Sequence, residues 1–543
     1  MEPSDQLRRP RAKSGHPKYG DWERNLTTVS AESFPRPIGT AQRFAGLLAA
    51  TALGVYLLVI VGATTSMTDA AAACTTWPTC ATPTDPLSQT ELAIAWGHRI
   101  AAVIVAGLVL VTTAVAWLGD ATRRVRYVLI AATVLYAVQV AVGAATATIG
   151  PDAMVPGLHL GLGVTVFAVV VLALAWHLEV ATGTEDASEG TSARTDVSRQ
   201  DAGPDGVVDV SDSGVAGVAE TGVAETGVTA ASDSGVADAD VPIGDSRTAA
   251  RHSGGVRQTI AAYVSMTKPR LMWLLCLVAA AGMALAVGPD LGAETVVATL
   301  TGGVLAIGAS GTFNHVLERD VDRRMNRTAD RPLATDLVPV GHALAFGFVL
   351  GVASIAVFAT INALAAALGL IAIVFYSVVY TLLLKPNTVQ NTVIGGAAGA
   401  LPALIGWAAA TNEIGLPALA LAGVIFLWTP AHFYNLALAY REDYERGGFP
   451  MLSVVRGETV TRKHILYYLG ATLAGAAGLA WISGLGILFA ATVVVFGAIF
   501  LWTAVTLHFE QTERAAFRSF HASNAFLGAL LVVIVIEALV VVG

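Results

Sequence analysis

Thirteen apolar runs of roughly twenty residues follow one another along this 543-residue chain. A run of that length can cross the hydrocarbon core of a bilayer as a helix. Because only helices and closed barrels satisfy every backbone polar group in lipid, runs this long and continuous predict helices. The sequence, with a mean hydropathy of +0.64, therefore predicts an all-α, polytopic membrane protein. The runs lie at roughly 44–66, 93–118, 126–147, 156–179, 270–288, 294–313, 341–360, 363–384, 390–410, 416–438, 465–484, 486–507 and 520–542.

A polar segment separates the first four runs from the other nine. Residues 184–246 contain fourteen acidic and two basic residues, a net charge of −12, and no aromatic residue. Such a composition cannot bury enough apolar surface to offset the entropy lost on folding, so the segment is predicted to be disordered. The predicted organisation is a basic tail (1–42), a four-helix domain (43–180), an acidic linker (181–258) and a nine-helix domain (259–543).

Lysine and arginine alternate between the loops in a way that predicts the orientation. Eight basic residues precede the first run, whereas residues 67–92 and 148–155 contain none. Because basic loops stay on the cytoplasmic side, the N-terminus and the charged loops of the second domain are predicted to be cytoplasmic. Thirteen crossings then put the C-terminus outside. The expected location is the cell membrane.

The segment 314–333 is densely charged although it directly follows an apolar run. Asn314, Glu318 and Asp322 have the spacing i, i+4, i+8, which stacks them on one face of a continuing helix. Amide and carboxylate oxygens suit Mg²⁺, which often bridges to substrate phosphates. Arg327 and Arg331 supply planar donors for a phosphate leaving group. Taken alone, the segment is also compatible with a solvated basic loop that only enforces topology.

A second acidic pair favours the chemical interpretation. Glu442 and Asp443 end another run on the same predicted side, and Lys385 follows a third run there. Two acidic clusters at the mouth of one bundle can hold metal ions against a diphosphate while apolar helix faces shelter a hydrocarbon tail. These features predict prenyl diphosphate chemistry.

Four motifs carry a resemblance to a known family. The pattern at 314–322 resembles the N-x-x-x-D-x-x-x-D signature of the UbiA superfamily of intramembrane prenyltransferases, with Glu318 in place of the middle aspartate. With "MTKPRLMWLL", "YTLLLKPNTVQNTVIGGAAGALPALIGW" and "WTPAHF…REDYERGGFPML", the region 265–543 resembles the haem O synthase (protoheme IX farnesyltransferase) family. This chain departs from that family at Ala403 and Ala431, where a second proline is common.

The resemblance implies that the farnesyl group of farnesyl diphosphate is joined to a vinyl group of haem B, with Mg²⁺ as the cofactor. The implied sites for Mg²⁺ and diphosphate are Asn314, Glu318 and Asp322 in one cluster and Glu442 and Asp443 in the other. The residues implied to stabilise the leaving group are Arg327 and Lys385, with Arg331 and Lys268 as second choices. His315 and His432 adjoin the acidic motifs and are candidates for contact with haem, or for structural hydrogen bonding.

The four-helix domain has two histidines of its own. His98 and His159 are predicted to lie at matched depth near the outer face, where two neutral imidazoles can bind haem or serve as hydrogen-bonded interior residues. The motifs "VYLLVIVGATTSMTDAAAACTTWPTC", "WGHR", "AVQVAVGAATATIG" and "GLHL" make residues 43–180 resemble one four-helix half of haem A synthase. Ala95 occupies the position of that family's usual glutamate, and Glu91 lies one turn earlier.

Haem A synthases usually have two such halves, and this chain has one. A homodimer or a haem A synthase partner could supply the second half, or the domain could only bind and deliver haem. Cys74 and Cys80 lie in the arginine-free segment on the predicted outer, oxidising side, where a disulfide is expected.

Three alternatives remain for the whole chain. One is a UbiA-type prenyltransferase that acts on a quinone precursor or a lipid, although the "TKPR", "IGWAAAT" and "GGFPML" runs disfavour it. The others are a haem carrier and a transporter. Transporters place ionisable residues near the midplane of repeated halves, whereas these carboxylates cluster at helix ends. The long polar segment is acidic, so nucleic-acid binding is not expected.

Overall fold

The computed structural model describes residues 39–65, 77–78, 88–149, 154–183 and 255–541. Throughout these ranges the regular structure is helical, and thirteen helices are long and apolar enough to cross a membrane. The predicted fold class is therefore confirmed. The expected disulfide between Cys74 and Cys80 and residues 184–254 of the acidic linker lie outside the described residues, whereas 181–182 and 256–258, predicted as linker, are helical.

The first four helices are long and correspond to the four predicted runs. They are α1 (Thr40–Thr65), α2 (Ser88–Leu118), α3 (Arg123–Ile149) and α4 (Met154–Thr182). Residues 39–43 belong to the segment Met1–Arg43, and the compact unit Phe44–Gly543 contains the remaining described residues of both helix sets.

The second set contains nine spanning helices and three short ones. They are α5 (Val256–Met266), α6 (Pro269–Val287), α7 (Ala293–Asp322), α8 (Val340–Ile361), α9 (Ala363–Val374), α10 (Asn391–Thr411), α11 (Leu416–Ala439), α12 (Arg441–Arg446), α13 (Leu452–Val455), α14 (Glu458–Ser483), α15 (Ile487–Glu510) and α16 (Glu513–Ile536). Helix α7 continues well beyond its apolar run, so its last turns carry the acidic motif.

Helix α9 changes its winding at the end that leads to the charged loops. It continues as a π-helix over Phe375–Leu384, in which the backbone N–H of Lys385 bonds to the carbonyl of Tyr380. π-Helices are rare in proteins, and those that occur are often found at functional sites. Here the π-helix brings Tyr376, Tyr380 and Lys385 to the end of α7.

The two helix sets pack against each other along α4 and α14. Lys463 forms an ion pair with Glu179, and a Cβ added at Gly470 would lie 2.9 Å from Cγ1 of Val171. One continuous apolar core includes residues of both sets. The four helices and the nine helices, which the sequence predicts as domains joined by a linker, therefore also share a packed interface.

Glycines allow α6 and α10 to approach each other at backbone distance. A Cβ at Gly406 would lie 2.0 Å from the carbonyl oxygen of Ala279, and a Cβ at Gly282 would lie 2.4 Å from that of Ala403. Close approach through small residues is a common means of helix association in membranes. The glycine at 406 therefore acts in helix packing.

Replacing Gly406 with alanine is expected to push the two backbones apart. Overpacking of this kind costs about 1–3 kcal/mol, so Gly406→Ala is expected to lower the thermal unfolding midpoint in detergent. Gly423→Ala is the matched control, because a Cβ there meets nothing within 4 Å. Equal midpoints for the two variants would contradict the close packing of α6 and α10.

Candidate active site

The acidic motif forms a buried row at the end of α7. Asn314, Glu318 and Asp322 have exposed fractions of 0%, 0% and 1%. As their spacing predicts, the continuing helix carries all three to the same buried region. Burying charge without a partner is costly, so such a row requires cations close by.

Three cations from three different elements contact this row. Lys268 Nζ donates to Asn314 Oδ1 at 2.7 Å, and Lys385 Nζ donates to Glu318 Oε1 at 3.0 Å. Arg331 Nη1 donates to both Asp322 oxygens at 3.0 Å and lies 3.8 Å from Glu318 Oε2. Lys268 and Arg331, the second choices from the sequence, thus contact the row directly.

Lys268 reaches the row from the turn between α5 and α6. Its φ of 56° is left-handed, which is uncommon for a residue with a side chain and is found at functional sites. Pro269 then begins α6 with no further amide donor to satisfy. Gly311 makes room for this turn, because a Cβ there would lie 2.8 Å from the carbonyl oxygen of Met266. Burial lowers the pKa of Lys268 well below its ordinary value, and the positive charge of Arg331 adds to that effect.

Aromatic rings surround the two lysines. Lys268 Nζ lies 5.6 Å from the ring centroid of Tyr376 and 3.3 Å from its hydroxyl oxygen. Lys385 Nζ lies 5.4 Å from the centroid of Tyr380 and 5.9 Å from that of Phe449. Ring faces attract cations at these distances. These aromatic residues were not among the sequence candidates, and the π-helix that presents two of them has no simple sequence signal.

Asp443 holds the loop that follows α7. Its carboxylate accepts hydrogen bonds from the backbone N–H groups of Asn326 and Arg327, at 3.2 and 3.1 Å, and from Arg446 Nη2 at 2.5 Å. The structure therefore uses both Asp443 oxygens to fix the position of Arg327. Glu442, the other predicted member of the pair, lines the adjoining polar cavity.

Arg327 lies in the same polar cavity as Glu442 and Asp443. Its guanidinium carbon lies 4.8 Å from the ring centroid of Tyr440 and 5.3 Å from that of Tyr444. Its three side-chain nitrogens are buried without a hydrogen bond in the described part of the chain. The guanidinium is thus held by stacking, and its donors remain available to an anion.

An apolar cavity adjoins Lys268, which contacts Asn314 of the acidic row. Lys268 and Tyr376 stand at its charged end, and its remaining wall is formed mainly by apolar residues of α6, α7, α8 and α10. The lining includes Leu271, Leu275, Leu300, Phe358 and Pro402. A ligand with a charged head and a hydrocarbon tail fits this arrangement.

The donor set also suits Mg²⁺. Within the described ranges, no three His, Cys, Asp or Glu side chains gather into a metal cluster. Mg²⁺ does not need one, because it binds through one or two carboxylates together with water and phosphate oxygens. Glu318 Oε2 is buried and accepts no hydrogen bond from the described residues, which leaves one hard oxygen of the row for a cation.

The two histidines beside the acidic motifs have different surroundings. His432 is stacked between Trp428 and Phe520, with ring centroids 4.3 and 4.4 Å away, and its Nδ1 hydrogen-bonds with Ser523 Oγ at 2.7 Å. These contacts match the structural alternative for His432, in which it is a hydrogen-bonded interior residue. His315 is buried, and its Nδ1 finds no hydrogen-bond partner among the described residues.

In the four-helix set, His98 and His159 line one cavity. The Nδ1 atom of each is buried without a hydrogen bond in the part of the chain that the structure describes. Glycines face both rings: added Cβ atoms would lie 3.7 Å from His98 Cε1 at Gly62 and 2.9 Å from His159 Cε1 at Gly143. Ala95 also lines this cavity.

Two families match separate parts of the chain. The UbiA prenyltransferase family matches residues 274–530, and a cytochrome oxidase assembly protein family (COX15-CtaA) matches residues 45–199. These matches agree with the resemblances found in the two halves of the sequence. A solved structure of a UbiA homologue from Archaeoglobus fulgidus bound to GPP and Mg²⁺ is 18% identical, with a TM-score of 0.41, and covers 50% of this chain and 99% of that one.

Curated relatives match almost end to end. The protoheme IX farnesyltransferase of Haloarcula marismortui is 56% identical over 92% of this chain and 99% of its own length. That of Haloquadratum walsbyi is 54% identical over 96% of this chain and 100% of its own length. Identity at this level over both helix sets shows that the chain belongs to the protoheme IX farnesyltransferase family.

Proposed function

We propose that the chain transfers the farnesyl group of farnesyl diphosphate to a vinyl group of haem B. The C–O bond to diphosphate breaks with the electron pair leaving on diphosphate, and a C–C bond forms to one vinyl carbon. Water adds its hydroxyl to the other vinyl carbon and releases a proton, so the product carries a hydroxyethylfarnesyl side chain. The observation that carries this proposal is the buried row of Asn314, Glu318 and Asp322, paired with three cations of which one, Lys268, also lines an apolar cavity.

Different residues bind the diphosphate and the prenyl chain of farnesyl diphosphate. Asn314, Glu318 and Asp322 would hold Mg²⁺, which when bound would supply positive charge to the diphosphate. Lys268, Lys385 and Arg331 lie against that row and provide fixed positive charge, which avoids reorganisation during the reaction. The apolar cavity takes the prenyl chain and excludes water from it.

Arg327 and the pair Glu442 and Asp443 form the second part of the diphosphate site in this proposal. Asp443 acts mainly by fixing the loop of Arg327. Glu442 is then the carboxylate available to a second Mg²⁺, and Arg327 donates to the diphosphate oxygens. Planar guanidinium donors suit such oxygens well.

The reaction can be tested directly. The purified full chain is supplied with haem B, farnesyl diphosphate and Mg²⁺ in detergent, and haem O is sought by chromatography and mass. We expect a product with the mass of haem O, and no such product when a chelator is present. If folded protein forms no product with farnesyl or geranylgeranyl donors, the acceptor is a quinone precursor or a lipid, or the chain carries haem without modifying it.

The activity is expected to fall at alkaline pH. Burial lowers the pKa of Lys385 from 10.5 to about 8, and the charge of Glu318 opposes part of this shift. A lysine loses its charge as the pH rises through its pKa, and kcat/KM reports the groups of the free enzyme. We therefore expect kcat/KM to decline above a pH of about 8.

The matched variant for this pH dependence is Lys385→Arg. A guanidinium keeps its proton throughout this range, so the alkaline decline is expected to move to higher pH in the variant. The measurement is kcat/KM for prenyl transfer between about pH 6 and pH 10. An identical decline in both proteins would assign it to another group.

We further propose that the four-helix set binds haem between His98 and His159. Two partly buried imidazoles in one cavity support this, because the buried Nδ1 atom of each has no hydrogen-bond partner among the described residues and neutral imidazole is a standard axial ligand. A second copy of the chain, or a haem A synthase partner, would supply the other four-helix half. The basic loops support placement in the cell membrane, with the prenyl-transfer site on the cytoplasmic side and the C-terminus outside.

A further inference from the structure

The cavity that contains His98 and His159 has one wall from outside the four-helix set. Its lining comes from α1 to α4 and Trp77, except for Trp481, which lies near the end of α14 in the nine-helix set. Trp481 is partly buried and packs against the shared apolar core. The cavity is therefore closed by a residue from the prenyltransferase part of the chain.

The packing of α4 on α14 brings Trp481 to this position. The two helices are antiparallel, since Lys463 pairs with Glu179 and Gly470 approaches Val171. Trp481 lies eleven residues beyond Gly470, and the residue eleven positions back from Val171 is Leu160, next to His159. Leu160 also lines the cavity.

The interface is held at more than one point. The ion pair between Lys463 and Glu179 lies near one end, and Gln511, directly after α15, donates from Nε2 to the carbonyl oxygen of Thr182 at 3.2 Å. Gly470 has no side chain that would separate the helices, so Val171 packs directly on α14. These contacts hold α4 against α14, the helix that carries Trp481.

The chemistry of the cavity suits a flat macrocycle that carries a metal. The two histidines line it with their ring nitrogens, and Gly62 and Gly143 leave space beside their rings. A large indole ring provides a broad apolar face against which such a macrocycle can pack. We infer that Trp481 is a positioning residue of this haem site, so that the nine-helix set forms part of the haem site in the four-helix set. This inference rests on the proposed binding of haem between His98 and His159.

The experiment is a titration of the full chain with haem B, followed by absorption and by induced circular dichroism in the Soret region. The part of the Soret signal that is lost in His98→Ala is assigned to haem bound at this site. We expect Trp481→Ala to weaken the titration of that signal about tenfold and to change its dichroism, which reports the orientation of the macrocycle. Trp481→Phe is expected to restore both in large part.

Trp502→Ala is the matched control, because this tryptophan of α15 is 72% exposed. It is expected to titrate like the unmodified chain. If Trp481→Ala keeps both the affinity and the dichroism while His98→Ala loses the signal, haem binding stands and the role of Trp481 is wrong. If neither His98→Ala nor His159→Ala changes the spectrum, the haem site is wrong and the inference fails with it.

Discussion

Asp322→Asn is expected to lower kcat/KM for prenyl transfer by about 10²–10³-fold, because it removes one negative charge from the row proposed to hold the Mg²⁺ that neutralises the departing diphosphate. The substitution preserves the shape of the side chain and one oxygen that can still accept from Arg331. Asp322 is 1% exposed and accepts from Arg331 through both oxygens. Asparagine is therefore preferable to alanine, because it changes the geometry of this contact less.

The measurement is steady-state turnover at several Mg²⁺ concentrations. A role in holding the metal predicts that Asp322→Asn needs more Mg²⁺ for half-maximal activity. Asp320→Asn is the control, because Asp320 is exposed on the same helix and pairs with its neighbour Arg319. Unchanged turnover and unchanged Mg²⁺ dependence in Asp322→Asn would rule out its proposed role.

The second large effect is expected for Lys385→Met. Lys385 and Glu318 form an ion pair with side-chain exposures of 2% and 0%. Removing Lys385 leaves Glu318 with the more distant contact to Arg331, 3.8 Å from its Oε2; the loss of one partner of a buried pair typically costs about 3–5 kcal/mol. The variant is therefore expected to lose both stability and prenyl transfer.

A double variant separates the two losses. In Lys385→Met with Glu318→Gln, no buried carboxylate is left unpaired, so much of the stability is expected to return while prenyl transfer stays absent. Unfolding midpoints and turnover in detergent check this. The control is Arg323→Met, which breaks a solvent-exposed pair with Asp336 and is expected to cost at most about 1 kcal/mol. If the double variant is no more stable than Lys385→Met, the pairing with Glu318 is not what stabilises this region.

Much of the fold was predictable because the signals are local. Hydropathy over about twenty residues predicts a spanning helix, and all thirteen runs correspond to helices of the structure. The spacing of Asn314, Glu318 and Asp322 likewise predicts one face, since it depends only on the period of a helix. That α7 carries this row beyond its apolar run follows from the same local pattern.

The pairing of charges was not predictable in this way. Lys268 and Lys385 reach the row from 46 and 67 residues away, and Arg331 contacts Asp322 because the loop after α7 folds back. The sequence favoured Arg327 over Arg331. Both lie in one basic segment, and no local feature shows which of them contacts the row. Asp443 was assigned to the metal by its position beside Glu442, whereas its oxygens hold the loop amides in the structure.

The sequence by itself determined the number of spanning helices, their division into four and nine, and the acidic row, since each depends on residues that are neighbours along one helix. Only the tertiary structure decided which cation neutralises which carboxylate and how the two helix sets meet. Contacts such as Lys463 with Glu179, and the placement of Trp481 beside the cavity of His98 and His159, join residues hundreds of positions apart. They depend on how preformed helices pack through small residues and interlocking side chains, which no local period encodes.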